Sequence, residues 1–191
     1  MKEKIKNIIR DSITSKALLL YDEDLLEKIE RSAQLILKTL KRGGKILVFG
    51  NGGSAADSQH FAAELVGRFK KERRALPAVA LTTDTSLLTA LANDYSFDIV
   101  FKRQLESLAT VKDVVFAIST SGRSKNVLEA VKLAKKLKIK TIGLTGGDGG
   151  ALAKMTDIAL VAPSGITARI QESHILIIHI ICEILEDKIL R

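Results

Sequence analysis

The chain has 191 residues, of which 46% are hydrophobic, and it carries a formal net charge of +8. This length can bury one sizeable core without a disulfide or a structural metal, so we expect a single domain over residues 1–191. The single cysteine, Cys182, excludes an internal disulfide, and the charged N-terminus lacks the apolar core of a secretory signal. The longest apolar run, residues 175–185, is too short to cross a bilayer. We therefore predict a cytoplasmic protein with no membrane partner.

The positive charge comes largely from lysines and arginines that are spread over helical faces. The compact basic cluster at residues 70–74 is typical of a solvated loop, and steering of anionic ligands is the alternative. The chain contains no tryptophan and few aromatic residues, which argues against a stacking platform for single-stranded nucleic acid. We predict no nucleic-acid partner.

Two amphipathic helices come first in the chain. Apolar residues at helical spacing predict helices over Lys2–Leu18 and Asp22–Leu40, and Gly43-Gly44 supplies a C-cap for the second. We expect these N-terminal helices, at about residues 2–42, to pack on the core or in an oligomer interface.

Short apolar strands then alternate with helices. Strands are predicted at Ile46–Phe49, Ala78–Leu81, Asp113–Ile118, Lys140–Leu144 and Ile158–Val161. This alternation implies right-handed crossovers and a sheet that is covered on both faces. We therefore predict an α/β fold in which a five-stranded parallel sheet forms the middle of a three-layer α/β/α sandwich of flavodoxin-like type.

The last predicted helix, Thr167–Asp187, carries apolar residues around most of its circumference. A surface helix of a monomer would not tolerate this pattern, so we expect the helix to be buried between subunits. The alternative is that the helix is covered within its own domain, where the two N-terminal helices could lie over it.

Two Gly/Ser-rich loops follow predicted strands. Asn51-Gly52-Gly53-Ser54 follows the first strand, and Ser119-Thr120-Ser121-Gly122, with Ser124 close behind, follows the third. Ligands of open parallel sheets bind at the carboxyl ends of the strands, where glycines let the backbone approach an anion and helix N-termini offer free N–H groups. Neither loop has the lysine of a Walker A motif or the glycine spacing of a dinucleotide fingerprint. The loops therefore predict a cradle for a sugar phosphate.

Several polar side chains on helices are candidates for chemistry. His60 and Glu64 lie four residues apart on one helical face, where they could ligate zinc, share proton transfer or simply hydrogen-bond at the surface. Gln171, His174 and His179 interrupt the apolar final helix, and a buried histidine needs a partner. Helical spacing by itself favours His174 over His179 as the neighbour of Gln171, because eight residues span about 12 Å along a helix.

Taken together, five segments resemble the phosphoheptose isomerases of the sugar isomerase (SIS) domain family. They are FGNGGSAADSQHFAAEL (49–65), ALTTDTSLLTALANDYSFDIVF (80–101), AISTSGRSKNV (117–127), GLTGGDGG (143–150) and TARIQESHILIIHIICEIL (167–185). The resemblance runs from about Gly43 onward and implies a homotetramer with active sites at subunit interfaces. It also implies conversion of sedoheptulose 7-phosphate into D-glycero-D-manno-heptose 7-phosphate, the first step toward the ADP-heptose of the lipopolysaccharide inner core.

The same resemblance implies residue roles. Glu64 and His179 match the catalytic acid/base pair, and His60, Glu64, Gln171 and His179 match the ligands of a zinc ion. The residues implied to bind the substrate are Asn51, Gly52, Gly53, Ser54, Glu64, Asn93, Asp94, Ser119, Thr120, Ser121, Ser124 and Gln171. Ala168 stands where some members of the family carry an aspartate.

Two alternative functions share these motifs. A relative within the family binds the replication initiator protein DnaA as a tetramer. The shared motifs do not exclude this function, because a protein can keep a fold and its ligand pocket after losing one activity. A sugar-phosphate-sensing regulatory domain would bind ligand without catalysis, although no helix-turn-helix segment is evident beside this one. Turnover of a heptose phosphate, as opposed to tight binding of a protein partner, separates the isomerase from the DnaA-binding alternative.

Overall fold

The computed structural model describes residues 1–189 and contains eight α-helices, a short 3₁₀ turn and five β-strands within that range. In chain order these are α1 (Lys2–Leu20), α2 (Glu23–Lys41), β1 (Ile46–Phe49), α3 (Gly53–Val66), β2 (Ala78–Ala80), α4 (Thr85–Asp94), the 3₁₀ turn (Phe97–Ile99), α5 (Val100–Leu108), β3 (Val114–Ile118), α6 (Lys125–Lys136), β4 (Lys140–Gly146), α7 (Gly150–Met155), β5 (Ile158–Ala162) and α8 (Thr167–Ile189).

The five strands form one sheet of order β2-β1-β3-β4-β5, and all neighbouring strands are parallel. From β1 the chain first builds outward to β2 and then crosses back to place β3 on the other side of β1. The carboxyl ends of β1 and β3 are therefore neighbours at a topological switch point, where open α/β sheets bind ligands. The predicted five-stranded α/β/α sandwich is confirmed.

The sheet separates two apolar cores. Side chains alternate along β1, so that Ile46 and Val48 point into one core while Leu47 and Phe49 point into the other. The first core also contains residues of α2, α3 and α8, and the second contains residues of α4, α5 and α6. Because both faces are covered, β1, β3 and β5 are continuous apolar runs, as the sequence indicated.

The ends of the predicted elements shift only slightly. All five predicted strands are present, and no end moves by more than two residues. The first two helices are also confirmed: the Asp22 side chain accepts a hydrogen bond from the Leu25 N–H, and Gly43 adopts a φ of +77° just after the second helix. A capping carboxylate and a left-handed glycine are the usual signals for the two ends of a helix.

The last helix is largely covered by its own chain. α8 packs against α1, α2 and α3, and Ile177, Ile178, Ile181 and Leu185 are fully buried there. Burial of this helix therefore does not require a second subunit. Coverage by helices of the same domain, the alternative to burial between subunits, accounts for its apolar composition. No helix in residues 1–189 is long and apolar enough to span a membrane.

Candidate active site

Two histidines and a glutamate from distant parts of the chain meet at one point. His60 and Glu64 lie one turn apart on α3, with 3.2 Å between His60 Nε2 and Glu64 Oε1. His179 reaches them from α8, and its Nε2 lies 2.9 Å from Nε2 of His60 although 119 residues separate the two in sequence. One potential ligand atom from each of the three side chains lies within 4.8 Å of the others. The sequence-predicted residues His60, Glu64 and His179 are thus brought together.

The geometry of this group fits a zinc ion. Bonds of about 2.0–2.1 Å in a tetrahedral zinc site separate the ligand atoms by roughly 3.4 Å. The separations of 2.9 Å and 3.2 Å within the group are close to that spacing. Two imidazole nitrogens this close cannot both carry a proton, so at least one offers a lone pair. Two histidines and one carboxylate are ligand types that zinc takes in proteins.

Gln171 and His174 face different surroundings. The amide of Gln171 lies against the first Gly/Ser loop, since a Cβ atom on Gly53 would come within 2.1 Å of Gln171 Nε2. His174 is fully buried, and its Nε2–H donates to the backbone oxygen of Thr145 at 2.9 Å. Helical spacing alone therefore pointed to the wrong histidine, and the resemblance to the family named the one that joins the group.

Asp57 lies one turn before His60 on α3 and was missed by the sequence analysis. Burial raises the pKa of Asp57 to about 6, against the attraction of His60, which lowers it. Its buried Oδ2 atom has no hydrogen-bond partner among residues 1–189. An aspartate at i−3 from a candidate histidine was the available signal, because residues three apart share a helical face.

The first Gly/Ser loop connects β1 directly to α3. Gly52 takes a φ of +56°, which favours glycine, and the helix begins at the next residue. Gly52 and Gly53 are exposed, whereas Ser54 is buried in the first turn. Exposed backbone N–H groups at the start of a helix are a suitable place for an anion.

The second Gly/Ser loop follows β3 and is braced by the loop after β4. The hydroxyl oxygens of Ser119 and Ser124 lie 3.0 Å apart, just before α6. Gly122 has a φ of +63°, and a Cβ atom there would lie 2.1 Å from the carbonyl oxygen of Gly149. Only a glycine fits this backbone contact, so the glycines near residue 149 support the shape of the serine loop.

A pair of amide side chains joins the two loops. Asn51 Nδ2 donates to Asn126 Oδ1 at 2.9 Å, and Asn126 Nδ2 donates to Asn51 Oδ1 at 2.8 Å. Asn126 is buried near the start of α6 and was not named from the sequence. A buried reciprocal pair of this kind holds both loops in one arrangement. Thr120 and Ser121 complete the second loop, and Ser121 is exposed.

Asn93 and Asp94 belong to α4, which packs on the other side of the sheet from α3 and α8. They end α4, are exposed, and hydrogen-bond to each other at 2.8 Å. α4 contributes Leu91 to the core on one side of the sheet, whereas α3 and α8 contribute Phe61 and Ile178 to the core on the other side. The helix that carries Asn93 and Asp94 therefore lies across the sheet from the helices that carry His60 and His179.

Two glycine-and-serine loops at the switch point of a parallel sheet, beside a His/Glu/His group shared by α3 and α8, are typical of the class of sugar-phosphate isomerase domains. The SIS domain profile matches residues 14–146. The chain belongs to the SIS domain family and, within it, to the phosphoheptose isomerases.

The individual relatives are similar over nearly their whole length. The phosphoheptose isomerase of Aliarcobacter butzleri is 57% identical over 167 residues, which cover 87% of this chain and 88% of that protein. The structure of phosphoheptose isomerase GmhA from Neisseria gonorrhoeae matches with a TM-score of 0.92 at 48% identity, over 97% of this chain and 98% of that one. A phosphoheptose isomerase from Francisella tularensis matches with a TM-score of 0.93 at 41% identity, over 97% of each chain.

Proposed function

We propose that this protein catalyses the aldose–ketose isomerisation of sedoheptulose 7-phosphate to D-glycero-D-manno-heptose 7-phosphate. The observation that carries the proposal is that Glu64, on a helix that begins at the first Gly/Ser loop, meets His179 of α8. The similarity to proteins named phosphoheptose isomerase supports the same reaction. That similarity does not favour the DnaA-binding alternative.

The reaction moves a proton between C1 and C2 of the sugar through an enediol. It needs a base beside the carbon and a second group that exchanges protons with the oxygens. We assign the carbon-bound proton to Glu64 and the oxygen-bound protons to His179. Because the two residues lie on different helices and share one group, they can act on neighbouring atoms of one substrate.

The loops orient the substrate for this transfer. We assign the phosphate to the hydroxyls of Ser119, Thr120, Ser121 and Ser124, just before α6. We assign sugar contacts to Asn51, Gly52, Gly53 and Ser54, with Gln171 beside them and Asn93 and Asp94 supplied by another copy of the chain. Binding that holds the reacting carbons in place contributes a large part of the rate.

We propose that His60, Glu64, Gln171 and His179 hold zinc. When bound, zinc supplies Lewis-acid polarisation of the carbonyl and offsets developing negative charge. The carboxylate of Glu64 has two oxygens and the imidazole of His179 has two nitrogens, so in each side chain one atom can serve as a ligand while the other takes part in proton transfer.

We propose further that residues 1–191 act as one cytoplasmic domain within a homotetramer that feeds ADP-heptose synthesis. A row of apolar side chains on α1, Ile5, Ile8, Ile9 and Ile13, is 45–60% exposed in the single chain, and such a row supports an interface. The buried free thiol of Cys182 is consistent with a reducing compartment.

Conversion of sedoheptulose 7-phosphate by the purified protein tests the proposal, with Glu64→Gln and His179→Ala as inactive variants. The exposed Glu72→Gln, in the irregular segment after α3, serves as the control and should retain activity. Treatment with a chelator should abolish turnover, and added zinc should restore it. Absence of turnover in the zinc-loaded wild type would refute the proposed reaction. Full activity after chelation would refute the proposed requirement for zinc.

A further inference from the structure

The irregular segment between α3 and β2, residues 67–77, is docked on α8 by charge pairs. Lys70 Nζ lies 2.8 Å from Glu183 Oε2, and Lys71 Nζ lies 2.5 Å from Asp187 Oδ1. The basic cluster noted in the sequence is thus an exposed loop whose lysines pair with acidic residues of α8. Exposed pairs of this kind contribute little stability, so the more informative contacts are the buried ones.

Glu186 is the buried anchor of this segment. Its carboxylate accepts hydrogen bonds from three successive backbone N–H groups, those of Phe69, Lys70 and Lys71, at 2.8–3.0 Å. Burial raises the pKa of Glu186, but these donors and the nearby Arg73 outweigh it and hold the pKa below its ordinary value. Glu186 is therefore ionised at neutral pH and binds the segment as an anion held by backbone amides.

Arg73 extends this anchor to the backbone of Glu64. Its Nε lies 3.2 Å from Glu186 Oε1, and both side chains are at most 2% exposed. Its Nη2 donates to the carbonyl oxygen of Glu64 at 2.6 Å, and its Nη1 donates to those of Leu65 and Gly67 at 2.8 Å and 3.1 Å. These carbonyls end α3, where a cation both satisfies free acceptors and complements the helix dipole.

The same segment also contacts His179. The ring of Phe69 packs against the imidazole of His179 with 5.3 Å between centroids, and the backbone N–H of Phe69 is bonded to Glu186. One buried ion pair thus connects the backbone of Glu64 on α3 to the ring that packs on His179 on α8.

We propose that Arg73 and Glu186 are positioning residues that set the distance between Glu64 and His179, with Phe69 orienting the imidazole. The proposal rests on the isomerase function proposed above. A buried ion pair is a poor source of stability, because the cost of desolvating both charges offsets their attraction. A displacement of about 1 Å in an active site, in contrast, costs on the order of 100-fold in rate. Relative to apolar side chains of the same shape the pair adds little stability, so we assign it a role in geometry.

The test compares Glu186→Gln with a matched control, Asp113→Asn. Asp113 is the equivalent buried carboxylate at the opposite ends of the strands, where it accepts from the backbone N–H groups of Lys45 and Thr110 and pairs with Lys45 Nζ at 2.8 Å. Both variants should lower the Tm. At a temperature well below both Tm values, we expect Glu186→Gln to lose roughly 10- to 100-fold in kcat with an unchanged KM, and Asp113→Asn to keep its kcat.

Phe69→Leu is the second variant, because it removes the ring from His179 while leaving the backbone hydrogen bonds and the ion pair in place. We expect a lower kcat and, by competition with a chromophoric chelator, zinc binding weakened by about tenfold. Equal kcat values for Glu186→Gln and Asp113→Asn would overturn the proposal, as would wild-type kcat and zinc affinity in Phe69→Leu. If Glu186→Gln does not fold, the kcat and zinc affinity of Phe69→Leu test the positioning role instead. If the wild type lacks turnover, the proposed isomerase function is wrong. The positioning role is then tested by comparing the zinc affinities of the variants with that of the wild type.

Discussion

The buried histidine of α8 gives a stability prediction that can be worked through quantitatively. His174 is fully buried, with Nε2–H bonded to the Thr145 carbonyl and Nδ1 without a partner among the described residues. Protonation would place a charge and an unpaired N–H inside the core. Burial accordingly lowers the pKa of His174 to about 4, although the hydrogen bond to Thr145 opposes the shift.

The direction of the pH dependence follows from a comparison of proton binding at His174 in the folded and unfolded states. Between the ordinary pKa of about 6.5 and the folded value of about 4, the unfolded chain binds a proton at His174 that the folded chain does not. The contribution of neutral His174 is therefore complete above pH 6.5 and is lost as the pH falls toward 4. One pKa unit corresponds to about 1.4 kcal/mol, so the full loss is about 3 kcal/mol.

The assay is urea unfolding of the metal-free protein at several pH values between 4 and 8, for the wild type and His174→Gln. The glutamine amide can still donate to a carbonyl but does not titrate. We expect the free energy of unfolding of the wild type to fall with acidification by about 3 kcal/mol more than that of the variant. Parallel curves for the two proteins would refute the reasoning.

Three further predictions concern the loops, Asp57 and α1. Gly122→Ala should lower the Tm and raise KM, because the new Cβ atom would meet the Gly149 carbonyl. The control is Gly43→Ala, which is also at positive φ but in open space; it should lower the free energy of unfolding by only about 1 kcal/mol and leave KM unchanged. Burial raises the pKa of Asp57 to about 6, so its ionisation costs stability as the pH rises from 4 to 6. The full shift corresponds to about 3 kcal/mol, and we expect roughly half of it because solvent screens this half-buried side chain. Asp57→Asn should therefore stabilise the metal-free protein by about 1–2 kcal/mol at pH 8 but little at pH 4 in urea unfolding, and equal gains at both pH values would contradict this. Ile9→Lys should reduce the sedimentation coefficient without lowering helix content by circular dichroism, and an unchanged coefficient would argue against an interface on α1.

Local patterns in the sequence were sufficient for the architecture. Strands buried on both faces read as short apolar runs, and each loop after β1 and β3 carried the glycines that its backbone needs, such as Gly52 and Gly122 at positive φ. These signals depend only on residues close together in the chain. For the same reason, His60 and Glu64 could be paired from their spacing on one helix.

Contacts between distant segments were not predictable in this way. Periodicity shows that a residue is buried or exposed but not what it faces, so it could not distinguish His174, bonded to β4, from His179, which meets His60. The Asn51–Asn126 pair lies across the switch point and leaves no local pattern.

The sequence by itself determined the α/β class, the two Gly/Ser loops and, through the family resemblance, the proposed acid/base pair. Only the tertiary structure decided which side chains meet: it joined α3 to α8 through Arg73 and Glu186, and it placed Asn93 and Asp94 on the other side of the sheet. The physical reason is that strand order and helix packing bring residues together across long stretches of chain, and these contacts have no signature in local composition.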